Sequence, residues 1–254
     1  MRARSACAIA RARQPRPELR DETSTDASTR KPLSLLRFGV VVPWVMVAVP
    51  PLGPSKHAVA LATWDHLPLR VRAAVPLSDD ELFELSQVNR DLRIERTADG
   101  EIWVMPPTGG ETGRRNSALI AQLDRWSELD SSGVSFDSST GFILPNGAER
   151  SPDAAWVTRT RWQALSAEDR ARFPPICPDF VVELRSRTDE LGNLRAKMEE
   201  YRGCGARLGW LIDPVERRVH IYRPGTEVET LDAPATVTGD PVLRGFVLDL
   251  RRVW

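Results

Sequence analysis

Pro178-Asp179-Phe180-Val181-Val182-Glu183-Leu184-Arg185 places carboxylates inside a run of branched and aromatic apolar residues. Such a run, between a proline and a charged segment, predicts a buried strand over Phe180 to Leu184. A lone charge there is costly, so Glu183 calls for a counter-charge, a proton or a bound cation. The two-residue period of a strand sets Asp179, Val181, Glu183 and Arg185 on one face, with Val182 and Leu184 on the other.

Working upstream, Ser151-Pro152-Asp153 leads into Ala154 to Val157, a second apolar strand. Asn146-Gly147 is a two-residue turn signal joining it to Phe142 to Leu144. Asp153 opens the strand that leaves this hairpin and lies beside Glu183 if the two strands pair. Carboxylates so placed repel one another unless a cation or a proton intervenes. Oxygen donors without histidine suit Mg²⁺ or Mn²⁺ better than zinc.

Downstream, Leu191, Leu194, Met198 and Tyr201 share one face of a helix predicted over Asp189 to Arg202, which Gly203 and Gly205 stop. Lys197 lies at the edge of that face, from where its side chain can reach the sheet. It is one of only three lysines (Lys31, Lys56, Lys197) in a chain with 32 arginines. An ammonium beside a metal-bound water can orient a nucleophile or stabilise charge on a phosphate. Each residue also has a plainer reading: Pro-Asp starts many strands and turns, Glu183 can pair with Arg185, and Lys197 can be the solvated flank of an amphipathic helix.

Farther out, Ser78-Asp79-Asp80-Glu81 is a capping box that begins a helix carrying Leu82, Leu85 and Val88. Leu92 to Glu95, an Asp99-Gly100 turn and Ile102 to Met105 read as a hairpin. Glu95 can join the acidic group from it, or stand as an exposed hairpin acid. Asn116 to Leu129 reads as a helix, Val134 to Phe136 as a strand, and Leu208 to Ile212 and Val219 to Tyr222 as two more. The order is helix, strand, strand, strand, helix, strand after an N-terminal helix and hairpin, which indicates an α/β fold with a mixed central sheet flanked by helices.

Residues 1–77 read differently: they hold 12 Lys+Arg against 5 Asp+Glu, and 78–254 hold 23 against 30. We read 1–77 as an extension, disordered or not native to the protein, and 78–254 as the folded domain. An acidic body argues against nucleic-acid binding by phosphate neutralisation alone, so a local basic surface or a metal is required. Phe38 to Leu52 is apolar, but too short to span a bilayer and broken by Pro43, Pro50 and Pro51, so no membrane association is expected. Cys7, Cys177 and Cys204 have no paired spacing, which fits a reducing, cytoplasmic setting. His57, His66 and His220 do not cluster with an acid or cysteine. Gly109 to Gly113 lacks the ending of a phosphate loop.

Ser-Pro-Asp on one strand and Pro-Asp-Phe-Val-Val-Glu on the next, in this order of elements, resemble the PD-(D/E)XK nuclease superfamily, and within it the Uma-two family of restriction-endonuclease-like proteins. The likeness covers about Ser78 to Trp254. It includes Val104-Met105-Pro106-Pro107, Gly209-Trp210-Leu211-Ile212-Asp213-Pro214, Ile221-Tyr222-Arg223-Pro224-Gly225 and Leu243-Arg244-Gly245-Phe246-Val247-Leu248. The resemblance implies a restriction-endonuclease-like core, Asp153 and Glu183 as metal ligands, and a Mg²⁺-dependent endonuclease acting on DNA. The superfamily's lysine two residues after the glutamate is Arg185 here, and the resemblance implies that Lys197 supplies the positive group instead. The alternative is an inactive module of the same fold that binds DNA or a protein. Cutting both strands of a duplex implies a homodimer.

Overall fold

The computed structural model describes residues 68–73 and 75–254. The apolar run Phe38 to Leu52, Cys7, His57 and His66 lie outside them. The first described strand, β1 (Leu69–Arg72), precedes Ser78 and pairs with β3 (Glu101–Met105). It therefore falls inside the stretch assigned to the extension. Four residues alternating apolar and basic are too few to register as a period, which is why the sequence places the first element later.

The capping box forms as expected: Ser78 caps α1 (Asp79–Val88), accepting from the Glu81 amide while Glu81 reaches back to the Ser78 amide. The Asp99-Gly100 turn, with Gly100 at φ 84°, closes the hairpin of β2 (Arg93–Arg96) and β3. Leu82 of α1 packs on Ile94, Ile102 and Val104, the apolar face of that hairpin. Alternation turns Arg93 and Glu95 to the opposite face.

The helix expected over Asn116 to Leu129 is longer, α2 (Gly110–Asp130). Its first turn contains Gly110 and Gly113, whose low helix propensity hides it from sequence. β4 (Gly133–Asp137) follows, then β5 (Phe142–Ile143) and β6 (Glu149–Arg150), joined through the Asn146-Gly147 turn. Here the expectation is corrected. β5 and β6 extend the β1-β3-β2 sheet, and Asp153 does not open a strand of that hairpin. The chain leaves the first sheet at Ser151-Pro152-Asp153 and enters a second at β7 (Ala154–Thr158).

The second sheet has six strands. β7 lies between β4 and β8 (Phe180–Leu184); β8 pairs in parallel with β9 (Leu208–Asp213), followed by β10 (Arg218–Tyr222) and β11 (Glu229–Asp232). Two short helices, α3 (Arg159–Ala164) and α4 (Ala167–Ala171), connect β7 to β8. α5 (Leu191–Gly203) is the crossover that the parallel pair demands. Phe180, Val182 and Leu184 face Leu119 and Leu123 of α2, whereas Val181 faces Met198 and Tyr201 of α5. The sheet is thus sandwiched between α2 and α5, and period 2 delivers Glu183 to the α5 side. β12 (Thr236–Thr238) and β13 (Val247–Asp249) form a two-stranded ribbon packed on the α2 side. No helix among the described residues is long and apolar enough to cross a membrane.

Candidate active site

β7 and β8 pair antiparallel with Ala154 opposite Val182. Continuing that register by one residue sets Asp153 across from Glu183. Asp153 Oδ2 accepts from the Leu184 amide at 2.7 Å, which fixes its carboxylate at the end of β8. From the helix above, Lys197 Nζ approaches Glu183 Oε1 to 2.8 Å and donates to Glu95 Oε1 at 2.8 Å. Glu95 is not an exposed hairpin acid: it is 1% exposed and joins the group that Asp153 and Glu183 begin.

The remaining members were not picked out from the sequence. Arg93 donates to Glu95 Oε1 at 3.0 Å, to Asp153 Oδ1 at 3.2 Å and to the Ser151 carbonyl. It ties the first sheet to the acidic turn of the second. Arg150 donates to Glu95 Oε2 at 3.3 Å and to Glu200 of α5 at 2.5 Å, and Asn146 also donates to Glu200. The Tyr201 hydroxyl donates to Glu183 Oε1 at 3.0 Å. Tyr201 had a signal, since it lies one helical turn after Lys197 on the same flank. Arg93 had a weaker one, its two-residue spacing from Glu95. Glu149 had none that separates it from a surface acid.

The surroundings drive these carboxyls apart. Burial would raise Glu95, but Lys197, Arg93 and Arg150 overcome it and hold the carboxyl down at about 2. Burial pushes Glu183 above its ordinary value, with Lys197 opposing and Asp153 adding to the rise. Glu149, fully buried, is pushed up to about 8 by burial and by the charge on Glu95. Its Oε1 accepts from the Ser151 hydroxyl and its Oε2 has no partner. Burial works against the charge of Arg93, yet Glu95, Asp153 and Glu183 raise its pKa all the same. Tyr201 is raised by burial and by Glu183.

Two expected members lie elsewhere. Asp179 sits at the opposite end of β8, about 13 Å from Glu183 at a strand's rise per residue. It accepts from the Thr158 amide at 2.8 Å and pairs with Arg161 at 3.0 Å. Sharing a face did not mean sharing a site. Arg185 turns to Asp213, donating to Oδ2 at 2.7 Å, and so supplies no charge to the acids. Cys204 ends α5, and His220 pairs through Nδ1 with Thr230.

Among the described residues no three His, Cys, Asp or Glu side chains form a group able to hold a metal ion. The donor set nonetheless fits a hard cation that keeps most of its water. Tyr201 and Lys197 both meet Oε1 of Glu183, and Asp153 lies across the strand pair from it, its two oxygens also accepting from Arg93 and the Leu184 amide. Two carboxylates, with water and phosphate completing the shell, is the usual protein share for Mg²⁺.

Comparison with known proteins decides the lineage. The family model described as "Uma2: Putative restriction endonuclease" matches residues 79–251. The chain belongs to the Uma2 family. A solved structure from Anabaena variabilis ATCC 29413, titled as a "putative nuclease belonging to DUF820", shares the fold with a TM-score of 0.57 and 20% identity, covering 70% of this chain and 97% of that one. The match confirms the mixed α/β, restriction-endonuclease-like architecture. A cryo-electron microscopy structure of a DrdV–DNA complex aligns with a TM-score of 0.30 and 14% identity over 48% of this chain and 12% of that one, too slight a likeness to bear on the fold. No curated protein sequence matches.

Proposed function

We propose that this Uma2 protein is a Mg²⁺- or Mn²⁺-dependent endonuclease that hydrolyses DNA phosphodiester bonds. Lys197 carries the reading: its Nζ lies 2.8 Å from both Glu95 and Glu183, with Asp153 across the strand pair from Glu183. Family membership supports it. Asp153 and Glu183 would hold the cation, which supplies Lewis-acid activation of water and charge neutralisation on the phosphate. Lys197 would orient the attacking water or stabilise the charge gathering on the phosphoryl oxygens. Glu95 holds Lys197 in place, and Arg93 and the Leu184 amide hold Asp153. Arg185, locked onto Asp213, takes no part. Cutting both strands of a duplex calls for two such sites, so we propose a homodimer as the working form.

The full-length chain incubated with plasmid DNA and Mg²⁺ or Mn²⁺ should nick and then linearise it, and EDTA should abolish the reaction. Asp153→Asn, Glu183→Gln and Lys197→Met should each lower the rate by about 100-fold or more. Glu183→Gln should also weaken Mn²⁺ binding in calorimetry. Cleavage that survives these substitutions would remove the site from consideration. A second reading, a non-catalytic DNA- or protein-binding module, has its own support, because Arg93 and Lys197 already pair with these acids without a cation. Duplex binding that is indifferent to Mn²⁺, with no cleavage under any metal, would favour it.

A further inference from the structure

The polar face of the first sheet leads straight to the candidate active site. Register places Arg70 opposite Trp103, and Trp103 opposite Glu95. Arg96 opposite Glu149 carries the row on by one position, from Glu95 to Arg150. The row Arg70, Trp103, Glu95, Arg150 thus crosses four strands on one face, with side chains in cross-strand contact. α1 covers the other face; on this one α5 covers Glu95 and Arg150 through Lys197 and Glu200, whereas Arg70 at the far end of the row is exposed.

The acids on this face are already engaged. Glu95 is held by Lys197, Arg93 and Arg150, and Glu101 accepts from Trp103 Nε1 at 2.6 Å. Arg72 on the same face pairs with Asp99 at 2.6 Å. Arg70 differs: it is exposed, and among the described residues no carboxylate pairs with it. Its guanidinium lies over the Trp103 ring at 4.1 Å from the centroid, and Arg150 approaches the same ring at 5.7 Å. Stacking on an indole restrains the long side chain while leaving its N–H groups free to donate. Two interstrand steps put Arg70 about 10 Å from Glu95 across the sheet. Glu95 in turn holds Lys197 at 2.8 Å, so Arg70 stands to the side of the candidate site.

We propose that Arg70, mounted on Trp103, binds a backbone phosphate of the DNA strand next to the scissile one. The occupant is a nucleic-acid strand because a pre-oriented guanidinium with no carboxylate partner among the described residues is complementary to a polyanion. It also answers how an acidic body grips DNA: by a local cation beside the site. The proposal rests on the nucleic-acid reading of the site and identifies how the substrate is held.

Equilibrium binding of a short duplex to the full-length chain, measured without divalent metal over a salt series, tests it without any cleavage readout. Arg70→Met keeps the aliphatic stem and removes the charge. It should weaken binding about five- to tenfold and lower the salt slope by about 0.9, the loss of one phosphate contact. Tm should not change. Trp103→Leu should weaken binding similarly, and the double variant should be no worse than either alone, because the ring acts through the guanidinium. An unchanged slope in Arg70→Met, or additive losses in the double variant, would overturn the proposal. Its failure is separable from failure of the nuclease reading: DNA cleavage with an Arg70-independent slope sinks only the platform, and an Arg70-dependent slope without cleavage sinks only the chemistry.

Discussion

Glu95 and Glu149 are buried carboxyls on paired neighbouring strands, yet they are held in opposite protonation states at neutral pH. Three cations keep Glu95 ionised, and its own charge helps to keep Glu149 protonated. Folded Glu149 retains its proton up to about pH 8, against about 4.5 when unfolded. Its contribution to stability is therefore complete below the unfolded value and is lost as pH rises through the folded one. Glu149→Gln removes the titration. The variant should melt with wild type near pH 5 and about 5–10 °C above it at pH 8.5, as scanning calorimetry over a pH series would show. A difference that stays constant with pH would contradict the assignment. Lys197 was legible because a lone lysine among arginines stands out in composition. Glu183 was legible because a charge inside Val-Val-Glu-Leu needs a reason. Asp179 was misread because period 2 reports which face a side chain takes, not how far along the strand it lies. Arg150 and Glu149 could not be read, and Arg93 only weakly through its spacing from Glu95, since their roles depend on a second sheet docking against the first.

At the scale of elements, the capping box, the Asp99-Gly100 hairpin and the strand core were readable because local chemistry sets each of them. The change of sheet between β6 and β7 was not. Asn146-Gly147 announces a turn but cannot say that β6 ends after two residues and hands the chain to a different sheet. That handover matters, since it leaves Asp153 on the connecting turn, where Arg93 and the Leu184 amide reach it from two sheets. Close approach within the second sheet sets another requirement. A Cβ on Gly133 would lie 2.2 Å from the Trp156 ring and 2.4 Å from the Val157 carbonyl. Trp156 is itself packed against Trp126 at 5.7 Å between centroids. Gly133→Ala should thus destabilise the fold by about 1–3 kcal/mol through overpacking, measurable by urea unfolding. A neutral result would mean that β4 can shift away from β7.

Across the whole molecule, the C-terminal segment closes the core on the α2 side. Phe246 stacks on Trp210 at 5.9 Å and meets Trp126 at 5.4 Å and Phe180 at 6.5 Å, linking β8, β9 and α2. Phe246→Ala should cost about 3–5 kcal/mol. Because that cluster lies on the sheet face away from Glu183, the proposed DNA binding should persist in the folded fraction at low temperature. Unfolding and binding measured on the same sample check both expectations. The sequence could mark Gly245-Phe246-Val247-Leu248 as part of a family likeness, but not that it completes the core, because that contact joins residues far apart in the chain.

Neighbouring strands running the same way cannot be joined by a tight turn, so β8 and β9 oblige the chain to climb over the sheet and come back. α5 is that return path, and it cannot be shortened away without losing the pair. A cation seated on it is moored to the topology as firmly as one seated on the strand itself. Arg185 braces Asp213, and the ammonium that meets Glu183 arrives from overhead.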